Sequence, residues 1–553
     1  MAKKVVIVGG VAGGASAAAR LRRLDEDAEI IMFERGLHIS FANCGLPYYI
    51  GNIIPDRKRL LVQTPERMQA RFNIDVRTLS EVTRILPSQK EVEVCDLSSD
   101  ETYRESYDYL ILSPGAFPLA PDLPGIDLSN VFKIRNVPDS DTVKKYIQEQ
   151  EPETAVVLGG GFIGLEMADV LHESGVETAV VEASSQIMGP LDAEMAAIVQ
   201  NYLRWQGIDL YLADRAAALE GTDRVEKVVL ESGRTIPADM VVLGIGVRPE
   251  VGLAQEAGLA LGSTGGILVD EYLRTSDPFI YAVGDAIQVR DFVTGRDVLV
   301  PLAGPANRQG RLVADNIAGY PTRYGEVQGT AIVKILDMAA AVTGSNEKSL
   351  TREGRDFLTC HLHPSSHAAY YPGSTQMSMK LLFTPGEGKV LGAQIVGYNG
   401  VDKRIDVLAT AIRAGMTVFD LQELELAYAP PFGSAKDPVN LAGYVASNML
   451  KGDVEMAYWP EVPELVAAGA VLLDVRTSRE FSRGAVEGAR HVPVDNLREH
   501  LELIPRDKEI LVYCRTGLRS YIAARILSQH GYRCKNISGG YELYRAAYQT
   551  EDS

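Results

Sequence analysis

The order of apolar and polar positions repeats in two stretches of the chain. Residues 4–34 read as a short apolar strand, a glycine-rich turn, an alanine-rich helix and a second strand, and residues 154–182 repeat that order. In both stretches the second strand ends in an acidic residue, Glu34 or Glu182. This succession is typical of a parallel βαβ unit. The pattern therefore predicts an α/β fold that contains two such units.

The turn of each unit suits the pyrophosphate of a dinucleotide. The following helix offers unpaired amides and a positive dipole end, and glycines let the phosphate approach the backbone. The second turn, Gly159–Gly164, has the full G-x-G-x-x-G spacing, whereas the first, Gly9–Gly14, has Val11 in place of the second glycine. A carboxylate at the end of the second strand can accept hydrogen bonds from a ribose diol. At Glu182 it would repel a 2′-phosphate, so the sequence favours NADH without excluding NADPH.

Length, composition and charge narrow the class of protein. A chain of 553 residues is too long for one hydrophobic core, so we expect three or four compact domains. The net charge of −18 argues against a nucleic-acid partner, which needs a concentrated basic face. No apolar run approaches the ~20 residues of a membrane-spanning helix, and the chain enters its first strand without a targeting leader. We therefore expect a cytoplasmic protein that binds neither nucleic acid nor membrane.

The cysteines point to redox chemistry at one position. Five cysteines, with no C-x-x-C pair, fit neither a disulfide framework nor a zinc site, and we expect no metal. Cys44 lies in the string ISFANCGLP, which closely follows the first βαβ unit. A cysteine that opens a helix has a lowered pKa because the helix dipole favours the thiolate, so we expect Cys44 to be reactive. Cys95, Cys360 and Cys534 are interpreted as small buried apolar residues.

Three further segments complete a family resemblance. YLILSPG at 109–115 resembles the strand and turn that close a first nucleotide domain, LGIGVRP at 243–249 the exit strand of an NAD domain, and TSDPFIYAVGD at 275–285 a second flavin motif. With the two βαβ units, they make the chain resemble the two-dinucleotide-binding-domain flavoprotein disulfide reductases. The resemblance implies FAD and NADH as cofactors, a homodimer, and Asp285 as a flavin ligand. The cofactor ligands that it implies are Gly9, Ala12, Gly13, Gly14, Glu34, Arg35, Ser113, Gly115, Asp285, Pro301, Ala303, Gly159, Gly161, Gly164 and Glu182.

The surroundings of Cys44 indicate a branch of that family. Many members carry a second cysteine where this chain has Tyr49, so the oxidised form here must be a mixed disulfide with a small thiol, a persulfide or a sulfenic acid. SFANCGLPYY resembles the coenzyme A disulfide reductases, in which tyrosines of the partner subunit act as proton donors. By that resemblance we assign Tyr428 and Tyr370, with Tyr371 as the alternative to the latter. The coenzyme A ligands that it implies are Arg20, Arg23, Ser40, Asn43, Arg71, Asn307 and Arg308.

Two rival functions fit part of this pattern. NADH peroxidases and oxidases also use one cysteine, but they place a histidine in the first glycine loop, at the position of Ala12. A peroxide or oxygen reductase is therefore disfavoured. A non-catalytic alternative is a redox-sensing binding protein that uses NADH and Cys44 as a switch.

The last part of the chain resembles a single rhodanese domain. Cys514 follows an apolar strand, and the loop after it leads into a helix. Backbone amides of that loop, with Arg515 and Arg519, would stabilise a thiolate or persulfide anion. Ala485 departs from the family, which usually has a histidine there, and Tyr513 before the cysteine disfavours a phosphatase. The predicted persulfide loop consists of Arg515, Thr516, Gly517 and Arg519.

Together these patterns predict an α/β protein with two Rossmann-like domains, an α+β dimerisation domain and a C-terminal α/β rhodanese domain. The predicted boundaries are 1–150 with 270–325 for FAD, 151–269 for NAD, 326–448 for dimerisation and 460–553 for the rhodanese domain. We expect an FAD-dependent reductase that uses NAD(P)H to reduce coenzyme A persulfide, polysulfide or coenzyme A disulfide at Cys44, with sulfur relayed by Cys514. Its partners are then coenzyme A and small sulfur substrates.

Overall fold

The computed structural model describes residues 3–549 and contains two compact units. One unit comprises Met1–Ser185 with Gly207–Gly329, and the other comprises Gln186–Gln206 with Thr330–Ser553. The predicted domain limits at residues 1 and 553 lie outside the described residues.

The first βαβ stretch forms part of a five-stranded parallel sheet. The elements of this region are β1 Lys4–Val8, α1 Ala12–Leu24, β2 Glu29–Glu34, α2 Leu46–Ile50, α3 Pro65–Phe72, β3 Asp75–Thr78, β4 Ser80–Leu86, β5 Glu91–Asp96, β6 Glu101–Ser106, β7 Tyr109–Leu112 and β8 Ala116–Pro118. Strand β1 lies between β2 and β7, and β3 follows β2 at one edge. Apolar side chains of β1 and β7 are buried because helices cover both faces of such a sheet. The antiparallel strands β4, β5 and β6 form a separate sheet.

The second βαβ stretch repeats this arrangement in another five-stranded parallel sheet. The next elements are β9 Val131–Lys133, α4 Val137–Gln150, β10 Thr154–Leu158, α5 Phe162–Glu173, β11 Glu177–Glu182, α6 Ala193–Trp205, β12 Asp209–Leu212, β13 Ala216–Glu220, β14 Lys227–Leu230, β15 Thr235–Pro237, β16 Met240–Leu243, β17 Val247–Pro249, α7 Gly252–Glu256, β18 Ile280–Ala282, β19 Val289–Arg290, β20 Asp297–Val298 and α8 Ala303–Ile317. The strand order is β12-β11-β10-β16-β9. The chain then returns to the first sheet, where β18 pairs with β7 and α8 packs on α1. The two predicted βαβ units are confirmed.

The second unit contains a largely buried antiparallel sheet of five strands. The elements of this region are β21 Ala331–Ile335, β22 Met338–Gly344, α9 Glu347–Arg352, β23 Leu358–Leu362, β24 Met377–Phe383, β25 Val390–Gly397, α10 Val401–Arg413, α11 Val418–Glu423 and α12 Pro438–Leu450. The strand order is β21-β22-β25-β24-β23, and helix α10 packs against β22 and β25. The predicted α+β architecture of this region is confirmed.

A parallel sheet of five strands follows in the same unit. Its elements are β26 Glu455–Ala457, α13 Val462–Ala467, β27 Val471–Asp474, α14 Ser478–Phe481, β28 Arg490–His491, β29 Ile510–Tyr513, α15 Leu518–Gln529, β30 Cys534–Ile537 and α16 Gly540–Ala547. The strand order is β26-β30-β29-β27-β28. Strand β29 is the central, buried strand of this sheet. The loop that follows it lies at the carboxyl edge of the sheet, where ligands bind in folds of this kind.

Candidate active sites

The first unit contains a cavity of about 650 Å³, large enough for much of a dinucleotide. Its wall includes the first glycine turn, the end of β2 and the turn after β7. Of the predicted cofactor ligands it brings together Gly9, Ala12, Gly13, Glu34, Arg35, Ser113, Gly115 and Asp285. Asn43, predicted for coenzyme A, lines the same wall.

Seven predicted cofactor ligands do not line this cavity. Four of them, Gly159, Gly161, Gly164 and Glu182, belong to the second βαβ unit, and the other three are Gly14, Pro301 and Ala303. Pro301 and Ala303 are exposed and do not line this cavity. Gly14 is buried in α1, and a Cβ there would approach the carbonyl oxygen of Gly9 to 1.9 Å. Gly14 thus allows the helix and the turn to pack closely, while Gly9 and Gly13 face the cavity.

The two acidic strand ends are held in the same way. Glu34 accepts hydrogen bonds from the amides of Gly10 at 2.9 Å and Gly36 at 2.8 Å. Glu182 accepts them from the amides of Gly160 at 2.7 Å and Ser184 at 2.8 Å. Each carboxylate is therefore fixed beside its glycine turn, where a ribose diol would meet it.

The Asp285 carboxyl suits a hydroxyl-bearing ligand. It faces the cavity at the turn after β18, and burial raises its pKa. Among residues 3–549 no donor forms a hydrogen bond with it. The Asp285 carboxyl can accept hydrogen bonds from the ribityl chain of FAD, and Glu34 can accept them from its ribose. The free amides at the start of α1 can bind its pyrophosphate.

Cys44 lies in a single 3₁₀ turn, Asn43–Gly45, just before α2, and it is exposed. Partial loss of hydration and the carboxylates of Glu166 and Asp285 raise its pKa. The protein's own groups thus raise the pKa of Cys44, so the prediction that they lower it is wrong. Helix α2 has only five residues and starts after the cysteine, and loss of hydration together with the nearby carboxylates outweighs its dipole.

Glu166 is a site residue that the sequence reasoning missed. The Tyr48 hydroxyl donates a hydrogen bond to its carboxylate at 3.2 Å. Burial raises the pKa of Glu166 to about 6, and burial with this neighbour raises the pKa of Tyr48 to about 12. The two residues are 118 positions apart, so no local motif could have joined them. An acid that titrates near neutral pH therefore acts electrostatically on Cys44.

Tyr49 occupies the position at which many relatives carry a second cysteine. Its hydroxyl donates to Asp141 at 3.0 Å, and the Lys144 ammonium lies 3.9 Å from the centre of its ring. Tyr49 is buried and anchors α2 to α4. It thus has a packing role beside Cys44.

The residues predicted for coenzyme A fall into different environments. Packing of α1 on α8 sets Ser16 beside Asn307, with 2.6 Å between hydroxyl and amide oxygen, and pairs Arg20 with Asp315 at 2.7 Å. The Arg308 guanidinium lies over the ring of Tyr324 at 4.9 Å. Arg23 and Arg71 are exposed, and Ser40 has a left-handed backbone with φ of 45°. Arg22, in contrast, is buried and donates to five backbone carbonyls, which marks it as structural.

In the second unit the two predicted tyrosines contact each other. The hydroxyls of Tyr370 and Tyr428 lie 2.9 Å apart, and the residues are 76% and 48% exposed. The hydrogen bond with Tyr428 raises the pKa of Tyr370. Tyr371 instead packs edge-on against the ring of His367, so the geometry favours Tyr370 of the two.

Cys514 is buried at the end of β29 and faces a cradle of donors. Its sulfur accepts a hydrogen bond from the Gly517 amide at 3.1 Å. The Ser520 hydroxyl lies 3.4 Å from the sulfur and 3.0 Å from the Gly517 carbonyl oxygen, and it can donate to either. Ser520 is a contact that the sequence reasoning missed, although it lies only 6 positions after the cysteine. It stands in the first turn of α15, which directs its hydroxyl back toward the loop.

The arginines of this loop are paired with carboxylates. Arg519 forms two hydrogen bonds of 2.7 Å with Glu480, and Arg515 contacts Glu542 at 2.6 Å. Arg519 also interacts electrostatically with Cys514, and the direct role of Arg515 and Arg519 at the sulfur stays a prediction. Thr516 is half-buried in the same loop.

Comparisons with known proteins agree with this geometry. Residues 3–310 match the model of the pyridine nucleotide-disulphide oxidoreductases, 330–438 match the dimerisation domain of that family, and 459–547 match the rhodanese-like domain. None of the helices in residues 3–549 is long and apolar enough to cross a membrane.

Three proteins illustrate the similarity. The structure of reduced CoADR-RHD from Bacillus anthracis is 51% identical, with a TM-score of 0.97 over 99% of this chain and 98% of that one. The structure of a NAD-dependent persulfide reductase from A. fulgidus is 39% identical, with a TM-score of 0.93 over 98% of this chain and 100% of that one. The coenzyme A disulfide reductase of Staphylococcus haemolyticus is 35% identical over 81% of this chain and 100% of its own length.

The family model covers more than half of the chain, and the cavity carries the donors and acceptors that FAD requires. The chain therefore belongs to the pyridine nucleotide-disulphide oxidoreductases, with a dimerisation domain and a rhodanese-like domain after the nucleotide-binding region.

Proposed function

We propose that the protein is an NADH-dependent reductase of coenzyme A disulfide, coenzyme A persulfide or polysulfide. The observation that carries the proposal is an exposed Cys44 whose usual partner position is filled by the buried, anchored Tyr49. All five cysteines are free. With one redox sulfur at this position, the oxidised form is a mixed disulfide with the substrate thiol. The names of the relatives agree with such substrates.

The domain boundaries and cofactor ligands predicted from the sequence belong to this proposal. Bound FAD supplies an electron pair that originates in NADH. Glu34 and Asp285 would hold the flavin nucleotide, and Glu182 the ribose of NADH. The free thiols also fit a reducing, cytoplasmic compartment.

Cys44 performs the sulfur chemistry. Its thiolate attacks one sulfur of coenzyme A disulfide, so that a Cys44–coenzyme A disulfide forms and a coenzyme A thiolate leaves. With coenzyme A persulfide, attack on the inner sulfur forms the same mixed disulfide and releases hydrosulfide. Two electrons then break the mixed disulfide, which regenerates the Cys44 thiolate and releases coenzyme A thiolate.

Tyr370 and Tyr428 would supply the protons for the departing groups, with both residues delivered by the second subunit of a homodimer. Their hydroxyls form one exposed pair in this chain. Because the hydrogen bond raises the pKa of Tyr370, its phenol stays protonated at neutral pH and can act as an acid.

Cys514 would carry sulfane sulfur. Its thiolate attacks the terminal sulfur of an organic persulfide, a Cys514 persulfide forms, and the organic thiolate leaves without net oxidation or reduction. Transfer of that sulfur to coenzyme A thiol then yields coenzyme A persulfide. The Gly517 amide and Ser520 hydroxyl stabilise the anionic sulfur.

Residues near the contact between α1 and α8 would bind coenzyme A. Arg20 and Asn307 lie on the contact between these helices, and Arg23 and Arg308 add positive charge. Phosphate groups of coenzyme A need such cations.

The alternative function, reduction of peroxide, would need an acid–base group at the position of Ala12. Ala12 lines the cavity with a methyl group only.

Replacement of Cys44 tests the proposal. In the Cys44→Ser variant we expect NADH consumption with coenzyme A disulfide and with coenzyme A persulfide to fall at least about a hundredfold, because the nucleophile is lost. Cys95→Ser, in strand β5, is the matched control and should retain activity. Retained turnover in Cys44→Ser would contradict the proposal.

A further inference from the structure

The hydrogen bonds around the Cys514 loop continue beyond the rhodanese-like sheet. Cys514 and Arg515 are held from behind by the start of α16, where the Tyr541 amide donates to the Cys514 carbonyl at 2.8 Å and the Glu542 amide donates to the Arg515 carbonyl at 3.0 Å. In a planar trans peptide the carbonyl and the N–H point in opposite directions. The amides of Arg515 and Thr516 are therefore turned away from α16. This is the orientation that a cradle of amides around a sulfur anion needs.

The contact between the loop and α16 is tight. A Cβ on Gly540 would lie 2.6 Å from the Cys514 carbonyl oxygen and 2.8 Å from that of Arg515. Gly539 and Gly540 both have positive φ, 76° and 56°, which glycine adopts without strain. The position of this glycine pair thus sets the position of the loop.

Two histidines near the end of strand β23, in the dimerisation region of the same unit, hold the turn that leads into α16. His363 Nε2 lies 2.9 Å from the Gly539 carbonyl oxygen, and its Nδ1 lies 2.9 Å from the Ser378 hydroxyl. Because a carbonyl can only accept, Nε2 carries the proton and Nδ1 accepts from Ser378. Burial lowers the pKa of His363 to about 4, which agrees with this neutral form at physiological pH.

His361 makes a parallel contact one residue earlier in the turn. Its Nδ1 and its backbone amide both meet the Ser538 hydroxyl, at 2.9 and 3.1 Å. Its Nε2 lies 3.0 Å from Glu194, which fixes the ring. Consecutive residues of the turn, Ser538 and Gly539, are therefore each bound by one histidine.

We propose that His363 and His361 are positioning residues for the persulfide loop of Cys514, acting through Ser538–Glu542 from the dimerisation region. The inference rests on the proposed sulfur relay at Cys514. Neither histidine contacts the sulfur. Trp459 also holds the turn, through a 2.8 Å hydrogen bond from its indole N–H to the Gly540 carbonyl, so loss of one histidine loosens the loop without releasing it.

His363→Leu and His363→Gln in the full-length protein test the assignment. Leucine removes the donor to Gly539, whereas the glutamine amide can replace it. With glutathione persulfide as the sulfur donor, we expect persulfide formation at Cys514, followed by peptide mass spectrometry, to slow about tenfold in His363→Leu, the effect of one lost hydrogen bond. Amide hydrogen exchange of Arg515–Gly517 should quicken in the same variant, and His363→Gln should restore both.

The controls separate this inference from the proposed function. His530→Leu makes the same substitution at the far end of α15 and should change neither readout. Turnover of coenzyme A disulfide, which does not involve Cys514, should be unchanged in all three variants. Unchanged loading and exchange in His363→Leu, equal loss in both His363 variants, or parallel loss of coenzyme A disulfide turnover would overturn the assignment. Failure of Cys514 to accept sulfur in the unsubstituted protein would instead contradict the relay.

Discussion

The reactive thiol of Cys44 is governed by charges that come from distant parts of the sequence. Its pKa is raised by loss of hydration and by the carboxylates of Glu166 and Asp285. A resting thiol that is largely protonated near neutral pH needs help to become the nucleophile. A cation or a bound cofactor that offsets these carboxylates would promote the thiolate.

Glu166→Gln tests this electrostatic control. Glu166 has a raised pKa of about 6, so its carboxylate is charged above that pH and protonated well below it. Removal of the charge should lower the Cys44 pKa and speed its alkylation several-fold at pH 8, with little change at pH 5. The rate of iodoacetamide labelling of the Cys44 peptide as a function of pH measures the effect.

The control for that variant lies on the same helix. Glu173→Gln removes one charge at the exposed far end of α5 and should leave the labelling rate unchanged. Equal labelling rates in Glu166→Gln and the unsubstituted protein at pH 8 would show that the carboxylate does not act on the thiol.

At this scale the sequence predicts some site residues better than others. Cys44 could be identified because its neighbours form a recognisable string. Glu166 could not, because folding brings it to Tyr48 across 118 positions. Pro301 and Ala303 are exposed, and their assignment to the cofactor stays a prediction.

At the scale of elements, each glycine turn contains one glycine that the packing requires and another that leaves space for a ligand. A Cβ on Gly164 would lie 1.9 Å from the Gly159 carbonyl oxygen, as one on Gly14 would from Gly9. A Cβ on Gly161 would meet no atom within 4 Å. The same G-x-G-x-x-G motif thus contains one glycine needed by the fold and one that leaves space for a ligand.

Alanine substitutions should separate these two roles. Gly164→Ala forces α5 away from β10 and should lower the free energy of unfolding by roughly 2–4 kcal/mol, measured by urea denaturation. Gly161→Ala should leave stability unchanged and raise the KM for NADH, because its methyl group would occupy the space near the pyrophosphate. A Gly164→Ala protein as stable as Gly161→Ala would contradict this division.

The elements themselves were largely predictable. Strands β1 and β10, with their glycine turns and helices, follow from apolar runs and local spacing. The short length of α2 is not evident from the sequence. Nor are the burial of Cys44 and the nearby carboxylates of Glu166 and Asp285, which raise its pKa instead of lowering it. Tertiary neighbours, which no window of sequence contains, decided that outcome.

At the scale of the whole molecule, a buried charge cluster in the second unit joins α6 to the antiparallel sheet. Lys380 in β24 is 0% exposed, and its ammonium contacts Asp192 at 2.9 Å, Glu347 at 2.8 Å and also Glu194. Burial alone would lower the Lys380 pKa, but the three carboxylates outweigh it and raise it. Lys380 is thus a buried counter-charge shared by three carboxylates, and the His361 hydrogen bond and the Lys380 charge together outweigh burial and lower the pKa of Glu194.

Lys380→Met removes that counter-charge. At pH 7 the stranded carboxylates should destabilise the unit by about 3–5 kcal/mol, the cost of breaking a buried pair. The folded-state pKa of Glu194 is lowered, so its contribution is present above its unfolded pKa and is lost as pH falls. Thermal unfolding should therefore show a smaller difference between variant and parent at pH 3 than at pH 7.

Lys334→Met, an exposed change on strand β21 of the same sheet, is the matched control and should be nearly neutral. An equal effect of the two substitutions would contradict the role of Lys380.

The sequence predicts the architecture of this unit, but no pattern indicates that the segment Gln186–Gln206 would join the dimerisation region. That association depends on a buried lysine and acids far apart along the chain.

The most direct test of the account is to trap the sulfur bond at Cys44. The reduced, full-length protein is incubated without NADH and without oxygen with coenzyme A disulfide, and its cysteine peptides are mapped by mass spectrometry. The account predicts coenzyme A attached to Cys44, release of an equal amount of coenzyme A thiol, and loss of the adduct when NADH is added. Turnover with no adduct at Cys44, or with coenzyme A attached only to another cysteine, would contradict it.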